Sequence, residues 1–167
     1  MAIWPQILIL FMIAVIIYDA TKFIIPNWLV AIFIVLYPIF VLTSPVPIPW
    51  LSSLGLALAC FAVGYVMFIL NWMGGGDVKF FTGCVLWVGY GTQAVEFFVW
   101  MSIYGGALAL LLIIIRKFVP AMLKGTKAEP YTPRLFLKGE PMPYGLAIAA
   151  GFLTILWQGS MPGLTVL

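Results

Sequence analysis

Residues 51–70 read LSSLGLALACFAVGYVMFIL, and residues 71–77 read NWMGGGD. The first stretch carries no charge and has the length, about 20 residues, that a helix needs to cross a bilayer. The second breaks the run with glycine and places an aspartate where the next run begins. Working outward, the same alternation predicts helices over about 3–18, 28–43, 51–70, 78–90, 95–115 and 143–157, with one long polar loop over 116–142. Pro45, Pro47 and Pro49 rule out helix between the second and third runs. Pro38 lies inside the second run and should kink that helix rather than end it.

Composition agrees with this reading. Of 167 residues, 65% are hydrophobic and 8% charged, and the mean hydropathy is +1.18. Soluble domains carry about 25% charged residues, so a water-soluble fold is excluded, and disorder is excluded by the hydrophobicity. The fold class is an all-α membrane protein with six transmembrane helices, and 1–167 reads as a single integral membrane domain. A net charge of +3 gives no case for nucleic acid as a partner. The chain has no histidine and two cysteines, Cys60 and Cys84. A Ser-His-Asp triad, a Cys-His pair and a histidine or four-cysteine metal site are therefore out of reach, and no metal or cofactor is expected.

Six spans place Lys22, Lys79, Arg116, Lys117, Lys124, Lys127, Arg134 and Lys138 on one side and no Lys or Arg on the other. Basic residues accumulate on the cytoplasmic side, so both termini are expected on the outer side. No Lys or Arg precedes the first apolar run, and Lys22 follows it, the reverse of a secretory signal. Trp4 and Trp50 fall near outer helix ends and Trp28 and Trp72 near inner ones, as in an aromatic belt.

The chain has only two aspartates, Asp19 and Asp77. In this topology both sit at cytoplasmic helix ends, Asp19 closing the first helix and Asp77 opening the fourth as an N-cap. Ionisable groups at membrane depth are costly and usually functional. Two adjacent carboxylates share a proton, because like charges at short range do not both ionise. One then activates water as a base while the other protonates a carbonyl or leaving amine. That is aspartic-protease chemistry, and it needs no metal, histidine or cofactor. Gly74, Gly75 and Gly76 leave room for an extended peptide to approach Asp77. The plainer readings are an Asp19–Lys22 surface pair and an Asp77 helix cap with Lys79 as an anchor. Cys60 and Cys84 read as packing residues, Glu96 as an outer-surface charge, and Gly105, Gly106, Gly145 and Gly151 as close helix contacts.

Three segments resemble a known family. Gly74-Gly75-Gly76-Asp77-Val78-Lys79 looks like the G-x-G-D-x-K signature of type IV prepilin peptidases, a group of G-x-G-D intramembrane aspartyl proteases. Asp19, Lys22 and Ile25-Pro26-Asn27-Trp28 resemble the family's first aspartate segment. Pro143-Tyr144-Gly145-Leu146 through Gly151 resembles the opening of its last helix, especially in the short Tad/Flp-pilus branch.

The resemblance implies a membrane endopeptidase that removes the leader from prepilin or pseudopilin precursors at the cytoplasmic face of the inner membrane. Asp19 and Asp77 would be the catalytic pair. Gly74 and Gly76 would shape the site, and Lys79, Pro143 and Gly145 would support it, with Lys22, Pro26, Asn27 and Tyr144 in the matching segments. Many larger relatives also carry an N-terminal cytoplasmic region with paired cysteines and methylate the new N-terminus. Here Cys60 and Cys84 fall inside helices, so peptidase activity without N-methyltransferase activity is expected. Membrane lipid is the other expected partner, and association into a homo-oligomer is left open by the sequence. Two rival classes remain at this stage. A small proton-coupled transporter would use Asp19 and Asp77 as carriers but would want them near mid-membrane. A non-catalytic pilus or secretion assembly subunit would tolerate Asp→Asn changes.

Overall fold

A computed structural model describes residues 3–123, 133–137 and 139–164. They form six α-helices: α1 (Ile3–Lys22), α2 (Asn27–Thr43), α3 (Trp50–Ile69), α4 (Gly75–Val88), α5 (Thr92–Leu123) and α6 (Tyr144–Trp157), with a 3-10 turn at Arg134–Phe136 before α6. Of the expected loop over 116–142, residues 124–132 and Lys138 lie outside the described residues, and with them Lys124 and Lys127 of the charge partition.

Three helices, α1, α3 and α5 over Thr92–Val119, are long and apolar enough to cross a membrane. Helices α2 and α6 are apolar but shorter. The 14 residues of α4 and of α6 reach about 21 Å, short of a hydrocarbon core of about 30 Å. These two short helices are the most enclosed. Helix α4 packs on α2, α3, α5 and α6, while α6 packs on α1, α4 and α5. Helices α3 and α5 turn most of their apolar side chains outward: Leu51, Leu58, Val63, Val95, Leu110 and Ile113 are all more than half exposed. Surface of that extent and character is what lipid covers.

Several expected boundaries move. Helix α1 runs a further turn to Lys22, so Asp19 lies within the helix rather than closing it. Helix α5 continues through Arg116 to Leu123, so the expected loop begins as helix. In both cases the backbone stays helical after the apolar run has ended, because polar side chains do not by themselves break a helix. Helix α4 begins at Gly75 with Gly74 as its N-cap, which puts Asp77 at the third helical position rather than at the cap. Pro38 lies inside α2 as expected.

The core is held by aromatic packing at one end of the bundle. Trp87 of α4 stacks on Phe33 and Phe40 of α2 at centroid distances of 5.6 and 5.2 Å. Its indole N–H donates to the Phe33 carbonyl at 2.9 Å. Trp4 packs edge-on against Phe40 at 5.6 Å. It therefore belongs to this core, while Trp28, Trp50 and Trp72 are exposed. Dispersion and close packing matter here more than burial from water, since lipid is as apolar as the core. The cluster lies near the C-terminal end of α4, and it fixes the axis along which α4 presents Asp77 at its other end.

Candidate active site

Asp19 is buried, 3% exposed, on the inward face of α1. Its Oδ2 accepts a hydrogen bond from the Leu146 backbone N–H at 3.2 Å. Leu146 is the third residue of α6, whose N-cap, Pro143, makes no side-chain capping bond. The first turn of a helix leaves N–H donors without intrahelical partners. Asp19 supplies an acceptor from another helix, and the carboxylate is thereby aimed along the α6 N-terminus.

Asp77 is half-buried in the first turn of α4. Its carboxylate folds back over Gly74, where a Cβ would stand 2.8 Å from Oδ2. The Gly74 backbone N–H faces it, the approach that an acidic third residue makes in a capping box. The two short enclosed helices thus both begin at a carboxylate, and the positive end of each helix dipole faces one.

The two aspartates share a wall. A cavity of about 440 Å³ is lined by Asp19, Asp77, Phe23, Phe68, Asn71, Trp72, Met73, Gly74, Pro141, Met142 and Tyr144. A neighbouring cavity of about 580 Å³ is lined by residues 23–27, 74–77 and 79. The two meet at Phe23, Gly74 and Asp77. The space is large enough for several residues of an extended peptide, and its walls set two carboxyl groups among glycine, apolar side chains and the polar groups of Asn27, Asn71 and Lys79.

Glycine allows the walls to close. A Cβ on Gly145 would lie 2.6 Å from Asp19 Oδ2 and 2.9 Å from Ile25 Cδ1. A Cβ on Gly76 would lie 3.1 Å from the Ile25 carbonyl oxygen. Ile25, itself 3% exposed, therefore sits between the first turns of α4 and α6 and sets their spacing.

The other expected residues divide. Pro26 and Asn27 line the larger cavity with Lys79, and the Lys79 ammonium donates to Asn27 Oδ1 at 3.0 Å. Tyr144 lines the shared cavity. Pro143 is buried as the α6 N-cap but lines neither cavity. Lys22 is exposed, with its ammonium 4.8 Å from the Tyr18 ring centre, and it too lies outside both cavities. The surface-pair reading of Asp19 with Lys22 therefore fails, since Asp19 points inward to α6. Of the cysteines, Cys84 is buried and Cys60 half-buried, and both are free.

Sequence reasoning quoted Ile25 and Leu146 within the motifs but gave neither a part in the site, and it missed Phe23. Phe23 carries φ 54°, in the left-handed region that bulky residues rarely enter. It closes α1 through an N–H bond to the Asp19 carbonyl at 3.0 Å and stands at the junction of both cavities. Strain of this kind gathers at functional sites. No signal in the sequence marks Phe23 or the N–H of Leu146 as an Asp19 partner, whereas Gly74–Gly76 and Gly145 did point to a close approach.

No curated protein and no solved structure significantly matches the chain. Among protein families, the model of the type IV leader peptidase family matches residues 6–119. That segment holds Asp19, Asp77 and the glycines before Asp77, and it covers about two thirds of the sequence. On this match the chain belongs to the type IV leader peptidase family.

Proposed function

We propose that this protein is an aspartic endopeptidase of the inner membrane that removes leader peptides from prepilin-like precursors. The observation that carries the reading is that the only two aspartates of the chain line one cavity. Family membership supports a prepilin-type peptidase; the assignment of Asp19 and Asp77 as its catalytic pair is our reading of the geometry. In this reading one carboxylate takes a proton from water, and the other, protonated, hydrogen-bonds the scissile carbonyl. Water adds to the carbonyl carbon, and the proton passes to the leaving amine as the C–N bond breaks. Gly74, Gly76 and Gly145 keep side chains out of the path, and Lys79 with Asn27 borders the peptide's approach.

All six helices cross the membrane in this proposal, with both termini outside and the aspartates at the cytoplasmic face. The eight basic residues on one side support that orientation. The short helices α4 and α6 cross within a shell of longer ones, so protein rather than lipid satisfies their surroundings. The activity is peptidase without N-methyl transfer, and the placement of Cys60 and Cys84 within α3 and α4 supports that reading.

The test is cleavage of a co-expressed prepilin by wild type, Asp19→Asn and Asp77→Asn, read as a mass shift, with membrane levels matched. Cleavage by wild type and none by either variant is expected. Normal cleavage by both variants would sink the pair and favour an assembly subunit.

A further inference from the structure

The guanidinium of Arg116, near the end of α5, donates three hydrogen bonds to three main-chain carbonyls. Nε reaches Leu135 O at 3.0 Å, Nη1 reaches Glu140 O at 2.8 Å, and Nη2 reaches Pro141 O at 2.9 Å. These carbonyls belong to the segment that runs from the 3-10 turn to the start of α6. The next residues are the ones that matter to the site. Pro141 and Met142 line the cavity shared by Asp19 and Asp77, and Pro143 caps α6.

A charge among the basic residues of one membrane side would serve topology with no fixed partner. Arg116 instead spends its planar fork on fixing backbone. Few side chains can do this. A guanidinium offers five N–H donors in a rigid plane, so it can hold carbonyls five and six residues apart at once, while an ammonium is a single point of charge. Leu135 belongs to the 3-10 turn, and Glu140 and Pro141 are irregular backbone, so the fork ties together two stretches that no α-helix holds.

We propose that Arg116 is a positioning residue for substrate: it holds the carbonyls of Leu135, Glu140 and Pro141 so that Pro141 and Met142 form the wall against which the peptide lies. The inference rests on the peptidase reading above. It assigns Arg116 no part in bond breaking. Asp19 keeps its place through the packing of α6 on α1 and α5, so loosening the wall acts on peptide binding and leaves the chemical step in place.

The experiment is cleavage kinetics on purified protein with a prepilin substrate for Arg116→Lys, Met142→Ala and the double variant. Arg116→Lys retains the charge that orients the chain and loses the fork. It should reach the membrane at the wild-type level and raise KM at least fivefold, with kcat within twofold. Met142→Ala should raise KM in the same way, and the double variant should be no worse than the larger single effect. A purely structural role would lower the active fraction, hence kcat, and leave KM alone. Unchanged KM in either single variant overturns the proposal. So does failure of Arg116→Lys to accumulate, which would make Arg116 a folding residue. These outcomes are distinct from failure of the peptidase reading, which would appear as full cleavage by Asp19→Asn and Asp77→Asn.

Discussion

Gly145→Ala adds one methyl group, and the structure says where it goes. The new carbon would stand 2.6 Å from Asp19 Oδ2, 3.0 Å from Asp19 Cγ and 2.9 Å from Ile25 Cδ1. Carbon and oxygen that are not bonded settle at about 3.3 Å or more, so the carboxylate or the α6 backbone must retreat by about 0.7 Å. Ile25 gives little room, being buried with its own carbonyl against Gly76. The Leu146 N–H bond to Oδ2, now 3.2 Å, would stretch beyond hydrogen-bonding range. Misplacing a reacting group by about 1 Å costs on the order of 10²-fold, or about 2.7 kcal/mol of barrier. Cleavage of a purified prepilin by Gly145→Ala should therefore fall about 100-fold in kcat, normalised to folded protein because overpacking also costs about 1–3 kcal/mol of stability. Gly106→Ala is the control: a Cβ there meets nothing within 4 Å, so activity should hold. Gly145→Ala cleaving within about threefold of wild type, a barrier change below about 1 kcal/mol, would refute the placement of Asp19 at the α6 N-terminus.

Three further outcomes are expected. Gly64→Ala would bring its Cβ to 2.8 Å from Val78 Cγ1 and should destabilise the α3–α4 contact by about 1–3 kcal/mol. Val78→Ala in the same chain should recover most of that loss, as read by thermal unfolding in detergent. Trp87→Ala removes the ring on which Phe33, Phe40, Tyr37 and Trp4 converge, and should cost about 3–5 kcal/mol in the same assay. Cleavage should follow a bell in pH. In the proposed mechanism, raising the pH removes the proton that the two aspartates would share and leaves no acid, while lowering it protonates the base. A rate that stays flat from neutrality to strongly alkaline pH would exclude a shared proton.

The apolar runs made the helices legible, since 20 uncharged residues such as 51–70 have few other fates. The ends were harder. Helix α5 passes through Arg116 and α1 through Asp19 because their backbones remain regular where the side chains turn polar, and hydropathy sees only side chains. Trp4 read as an interface anchor from its place in the run, but its ring turns inward to Phe40 and Trp87, which only the packing of α1 on its neighbours decides. The aspartates were legible by scarcity, being two of five acidic residues in the chain. Their partners were not. Leu146 stands 127 residues from Asp19 and acts through an N–H that every residue but proline possesses.

The three motifs, separate in sequence, meet at Ile25, and this limits how the site can vary. Gly76 is kept small by the Ile25 carbonyl, which is backbone and cannot be shortened by substitution. Gly145 is kept small by two groups, the Ile25 side chain and the Asp19 carboxylate. Ile25→Val removes Cδ1 and relieves only the first of these. A chain carrying both Ile25→Val and Gly145→Ala should then regain stability lost to crowding while staying as slow in cleavage as Gly145→Ala alone, because the 2.6 Å approach to Oδ2 persists. Recovery of cleavage with recovery of stability would mean that α6 acts on the reaction through packing alone. Recovery of stability without cleavage would mean that the α6 N-terminus, although it lies beyond the matched residues 6–119, works through Asp19.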